Sequence, residues 1–93
     1  MHILLLEDDL DLGQAILLAL RAEGMTVLWV RSGKDVNLSA LQPQPDGVLL
    51  DLGLPDVDGL DMLRLWRQLG LPIPVIVISA RVALSDRLVG LDE

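Results

Sequence analysis

The chain contains no cysteine, no phenylalanine and no tyrosine, and only one lysine, Lys34. Without cysteine, disulfides and thiolate metal sites are both excluded. Seven basic residues stand against 14 acidic ones, a formal net charge of −7. That balance argues against a nucleic-acid surface, because phosphate backbones reward Lys and Arg. It suits a cation or a basic partner. His2 is the sole histidine; with no second imidazole to form a site, it reads as a surface or strand-edge residue. Long hydrophobic runs are missing too. Met1 to Leu6 is apolar but brief, meets Glu7, Asp8 and Asp9 at once and carries no basic leader, unlike a signal peptide. No apolar run approaches the roughly 20 residues needed to span a bilayer. The expectation is a soluble, cytoplasmic protein that does not engage the membrane.

What is present suits one small globular domain over residues 1–93: 52% of the residues are hydrophobic and 23% charged. Ile3 to Leu6 is a continuous apolar run, as in a strand buried on both faces. Leu10 to Glu23 is rich in the helix formers Leu and Ala, with Gly24 placed as a C-cap. Thr26 to Val30 is a second β-type run. Ser32-Gly33-Lys34-Asp35 resembles a helix start with Ser32 as N-cap, and that short helix ends before Pro43. Gly47 to Leu50 is a third apolar run ending at Asp51. Gly53, Pro55 and Gly59 mark the loop beyond it. Asp58 is placed to cap a helix over Leu60 to Leu69, stopped by Gly70 and Pro72. Pro74 to Ile78 is a fourth strand ending at Ser79, and Ala83 to Leu91 reads as a last helix. The order is β-α repeated four times, which implies an α/β fold with a parallel sheet and right-handed crossovers.

Strands of a parallel sheet all end on one side. Glu7 and Asp8 follow strand one, Asp51 follows strand three and Ser79 follows strand four, so all four gather at the rim where such sheets bind ligands. Three carboxylates held together repel, by about 4 kcal/mol per pair at about 4 Å and an effective dielectric near 20. Such a site either raises a pKa or recruits a cation. Oxygen donors without His or Cys point to Mg²⁺ or a similar hard ion. Asp51 is then a carboxylate nucleophile toward phosphorus, and the Ser79 hydroxyl a ligand for a phosphoryl oxygen. Taken alone, Glu7, Asp8 and Asp9 equally suit ordinary acids at a helix N-terminus; Asp51 tips the balance to metal. Asp9 and Asp11 are left as capping or solvated acids. Trp66 shares a helical face with Met62 and Leu69 and reads as core, Trp29 as strand packing, and Arg64 and Arg67 as a solvated face or a partner contact.

Three spaced motifs resemble the receiver domains of response regulators: Leu4-Leu5-Leu6-Glu7-Asp8-Asp9; Val48 to Pro55 with Asp58-Gly59; and Pro74 to Arg81. Ser85 to Asp92 looks like the subgroup fused to a winged-helix DNA-binding domain. The resemblance implies a flavodoxin-like (CheY-like) doubly wound sheet with four strands in the order 2-1-3-4. It implies that Asp51 accepts a phosphoryl group from a sensor histidine kinase. Mg²⁺ is held by Glu7, Asp8, Asp51 and the backbone carbonyl of Gly53. Ser79, with Leu52 and Ala80, binds phosphate and acts as the switch. Pro55 and Gly59 shape the loop, and Arg87, Leu88, Leu91 and Asp92 offer a dimer face. The family continues into a fifth strand with a phosphate-binding lysine and a fifth helix; this chain stops before them, at Glu93, and Lys34 lies on the wrong segment to substitute. Self-association through the last helix or the strand-four edge is therefore expected, with DNA binding left to a separate effector domain. Two other functions stay open. A pseudo-receiver would act only as a protein-binding or dimerisation module. A magnesium-dependent phosphatase would need a second acid two residues after the nucleophile, where this chain has Gly53.

Overall fold

The structure, a computed structural model, describes residues 1–78. Four strands form one parallel sheet: β1 (His2–Leu6), β2 (Thr26–Val30), β3 (Gly47–Asp51) and β4 (Val75–Ile78). Their spatial order is β2-β1-β3-β4, the order expected. Two α-helices connect them, α1 (Leu10–Ala22) after β1 and α2 (Gly59–Gln68) after β3. Among the described residues no helix is long and apolar enough to cross a membrane.

Alternation along the strands divides the apolar residues between two faces. Leu4, Leu6, Val48, Leu50 and Val75 join Leu63 and Trp66 of α2, with Leu38, Leu54 and Ile73, in one buried cluster. Ile3 and Leu5 alternate to the other face, where α1 buries Leu17. Trp66 is a core residue, as its spacing suggests. Both helices start on an aspartate: the Asp9 carboxylate accepts from the Leu12 amide at 2.9 Å and Asp58 accepts from Leu60 at 2.9 Å. Both end on a left-handed glycine, Gly24 at φ 83° and Gly70 at φ 73°, a conformation that a Cβ would strain.

The helix expected between Ser32 and Pro43 does not form. Two short 3₁₀ turns, Gly33–Asp35 and Leu38–Ala40, take its place. Val36 (φ −103°, ψ 121°) and Asn37 (φ −118°, ψ 94°) are extended between them. Gly33, Val36 and Asn37 are all weak helix formers. Ser32 does not cap this segment with its side chain; its hydroxyl donates instead to Asp56 at 2.7 Å. Arg67 also departs from expectation. Its guanidinium donates to the carbonyls of Leu71 and Ile73, both at 2.9 Å, fixing the connection from α2 into β4. Arg64 does lie on the exposed face, paired with Asp61 at 3.2 Å. The helix expected over Ala83 to Leu91 lies outside the described residues.

Candidate metal and phosphoacceptor site

The register puts the ends of β1 and β3 side by side, Leu6 opposite Leu50. Glu7 therefore leaves β1 beside Asp51, the last residue of β3. Glu7 and Asp51 are the two buried charged residues of the described chain, and Asp8 is half-buried next to them. One carboxylate oxygen from each of Glu7, Asp8 and Asp51 lies within 4.8 Å of the others. The Gly53 amide donates to Asp51 Oδ1 at 2.8 Å, and the Asp8 amide to Glu7 Oε2 at 3.1 Å.

Burial pushes the Glu7 carboxyl up to about 8, helped by its hydrogen bond to Asp51 and by the charges of Asp51 and Asp8. In the metal-free protein near neutral pH, Glu7 thus keeps a proton. That proton marks uncompensated negative charge in an all-oxygen cluster, the setting a hard divalent cation fits.

The loop after β3 is held from two sides. Gly59 at the start of α2 lies so near that a Cβ there would stand 2.8 Å from Leu52 Cδ2 and 3.3 Å from the Asp51 carbonyl oxygen. On the outer side Asp56 accepts from the Ser32 hydroxyl and from the amides of Gly33 and Lys34, at 2.7, 3.2 and 2.9 Å. Those donors, Ser32 first, hold the Asp56 carboxyl down to about 2. Pro55 is exposed and Leu52 half-buried. The profile for the "Response regulator receiver domain" family matches residues 3–93. The chain belongs to that family.

The receiver domain is 47% identical over 93 residues to the response regulator protein PmrA of Pseudomonas aeruginosa, covering all of this chain and 42% of that protein. It is 42% identical over 91 residues to the transcriptional regulatory protein QseB of Escherichia coli O157:H7, covering 98% of this chain and 42% of that one. The chain thus spans less than half the length of these relatives. The BeF₃-activated receiver domain of Klebsiella pneumoniae RstA superposes with a TM-score of 0.84 at 27% identity, covering 99% of this chain and 78% of that one.

Of the residues read from sequence as the site, the receiver domain brings together Glu7, Asp8 and Asp51, with Gly53 bonded to the last. Ser79, Ala80, Arg87, Leu88, Leu91 and Asp92 lie outside the described residues. Three interactions were not legible in advance: the Asp56 brace just described, a bond from the Trp29 indole to the Glu7 carbonyl, and bonds from Arg31 to the Asp8 carbonyl. One signal for Trp29 was present. Gly13 interrupts a helix of good helix formers, and such a glycine marks a close approach; here it faces the Trp29 ring.

The Glu7 proton has a consequence for stability. Its carboxyl titrates near its ordinary value of 4.5 in the unfolded chain and near 8 in the fold. Between those values the folded state binds the extra proton, so stability falls as pH rises through that window and levels off above it. Denaturant melts of metal-free protein in EDTA should show midpoints declining from about pH 4.5 to about pH 8. The decline should be absent in Glu7→Gln. A flat profile in the parent would contradict the raised Glu7.

Proposed function

We propose that this receiver domain is the phosphoacceptor of a two-component response regulator, with Asp51 as the acceptor. The observation that carries the reading is the convergence of Glu7, Asp8 and Asp51 within 4.8 Å at the rim of a receiver-type sheet. In this reading Mg²⁺ is held by those three carboxylates and by the Gly53 carbonyl. Bound there, it supplies positive charge against the carboxylates and the phosphoryl oxygens.

The chain's own residues do the rest. An Asp51 oxygen forms the new O–P bond while the P–N bond of a sensor kinase phosphohistidine breaks, and the released imidazole takes up a proton. The Gly53 amide, donating to Oδ1, orients the carboxylate. Burial of Asp51 limits access by water. Leu52, Ser79 and Ala80 are proposed to contact the phosphoryl group, and Pro55 and Gly59 to shape the loop around it. The phosphorylated state, with roughly two added negative charges, alters the surface offered to partners. DNA binding and transcription control are assigned to a separate winged-helix domain, and the location to the cytoplasm. The domain does no turnover chemistry beyond gaining and losing its own phosphoryl group.

Intact mass after acetyl phosphate treatment tests this. One phosphoryl adduct that requires Mg²⁺ is expected. No adduct in a protein that is folded and binds Mg²⁺ would point instead to a module that only binds proteins.

Self-association belongs to the same reading. Within the described residues β4 pairs only with β3, and Ile76 at its centre is 54% exposed. An uncharged β-branched edge of this kind pairs readily with other chains. Pairing through this edge, or through the proposed dimer face of Arg87, Leu88, Leu91 and Asp92, should give sedimentation above the 10.1 kDa monomer mass at micromolar concentration. Ile76→Lys should lower the association if the edge carries it. A monodisperse monomer would contradict both routes.

A further inference from the structure

We infer that the end of β2 is a clamp that sets the cation affinity of the acidic site, with Trp29 and Arg31 as positioning residues. This rests on the reading that Glu7, Asp8 and Asp51 take Mg²⁺. Beyond Leu6 the Glu7–Asp8 backbone leaves the sheet. One ladder-type bond remains, from the Glu7 amide to the Val30 carbonyl at 3.1 Å. The two carbonyls of the acidic pair are then held by side chains. The Trp29 indole Nε1 donates to the Glu7 carbonyl at 2.9 Å. Arg31 donates to the Asp8 carbonyl through Nη2 at 3.0 Å and Nε at 3.3 Å. Three successive residues of one strand end thus fix the backbone that carries two cation-binding carboxylates.

The sequence makes room for this contact. A Cβ on Gly13 would overlap the Trp29 ring at Cζ2 and Cε2, so any larger residue at this position of α1 would push the indole off the Glu7 carbonyl. The clamp acts by preorganisation. Backbone that has left the sheet drifts unless held, and holding the acidic pair before the cation arrives lowers the cost of binding. Trp29 is the better probe of the pair, because Arg31 also carries a charge that opposes a cation.

The test is a Mg²⁺ titration of the ¹⁵N-labelled protein followed by NMR. The chain has two tryptophans, hence two indole N–H resonances. The Trp29 resonance should move with the same apparent Kd as the Gly53 amide. The Trp66 resonance, in the core on the opposite sheet face, should stay. Trp29→Phe keeps an aromatic ring and the net charge but loses the donor; it should raise Kd about five-fold, the scale of one neutral hydrogen bond. Gly13→Ala, which retains Trp29 but displaces it, should do the same. A purely structural role would lower the melting temperature of either variant and leave Kd alone. Parental Kd in both folded variants overturns the clamp. If either variant fails to fold, the parent decides: a static Trp29 indole while Gly53 saturates overturns it equally. A parent with no Mg²⁺-dependent shifts removes the metal reading itself and the clamp with it, an outcome distinct from unchanged variants.

Discussion

Asp51→Asn is expected to abolish phosphoryl incorporation while leaving the fold at least as stable as the parent. The substitution keeps the size of the side chain and its ability to accept from the Gly53 amide, which donates to Oδ1 at 2.8 Å. It removes the nucleophilic carboxylate, and with it the charge of one of three carboxyl groups crowded within 4.8 Å. Relief of that crowding offsets what is lost, so the melting temperature should match or exceed that of the parent in EDTA. Cation binding should weaken by roughly tenfold or more, since a single charge contact ranges from about 1 kcal/mol in water to about 4 kcal/mol near a protein surface. Glu7 should respond as well, because Asp51 contributes both a hydrogen bond and a charge to its raised carboxyl; in the variant it should titrate lower. Intact mass, thermal melts and Mg²⁺ titration on one preparation separate these effects. Full phosphoryl incorporation in Asp51→Asn would move the acceptor elsewhere.

Leu50→Ala is expected to bring the whole domain close to unfolding. Leu50 is fully buried in the cluster between the sheet and α2, one residue before Asp51. Truncating a buried leucine costs about 2–5 kcal/mol, through lost transfer energy and the cavity left behind. Against a total stability of about 5–15 kcal/mol for a domain, that is a large fraction. At roughly 4–8 °C per kcal/mol for a domain of this size, the melting midpoint should drop by more than about 10 °C. Leu18→Ala is the control. Leu18 is 56% exposed on α1 and its loss should shift stability by less than about 0.5 kcal/mol. Equal effects at the two positions would mean that the core lies elsewhere.

The parts of the fold that could be read in advance are those with a local signature. β1 to β3 announce themselves as apolar runs cut off by acids, glycine or proline, and their observed limits lie within a residue of those runs. Asp9, Asp58, Gly24 and Gly70 mark the helix ends because caps need particular residue types at particular φ. The acidic triad was legible for a topological reason: parallel strands deliver their C-terminal ends to one rim, so the strand pattern alone placed Glu7, Asp8 and Asp51 together. The segment from Ser32 to Pro43 misled because a good N-cap residue stood before Gly33, Val36 and Asn37, which do not sustain a helix. Its serine was wanted by Asp56, 24 positions away. Trp29, Arg31 and Asp56 escaped notice for the same reason. Each acts across a gap of more than 20 residues, and such contacts leave no periodicity to read.

The central claim is that Asp51, supported by Glu7 and Asp8, is a cation-dependent phosphoacceptor. Borohydride trapping after acetyl phosphate treatment, followed by peptide mapping, tests it most directly. Reduction of an aspartyl phosphate should mark only the peptide containing Asp51, and only when Mg²⁺ is present. Label on Asp8 or Asp56, or label at Asp51 that survives removal of the metal, would contradict it.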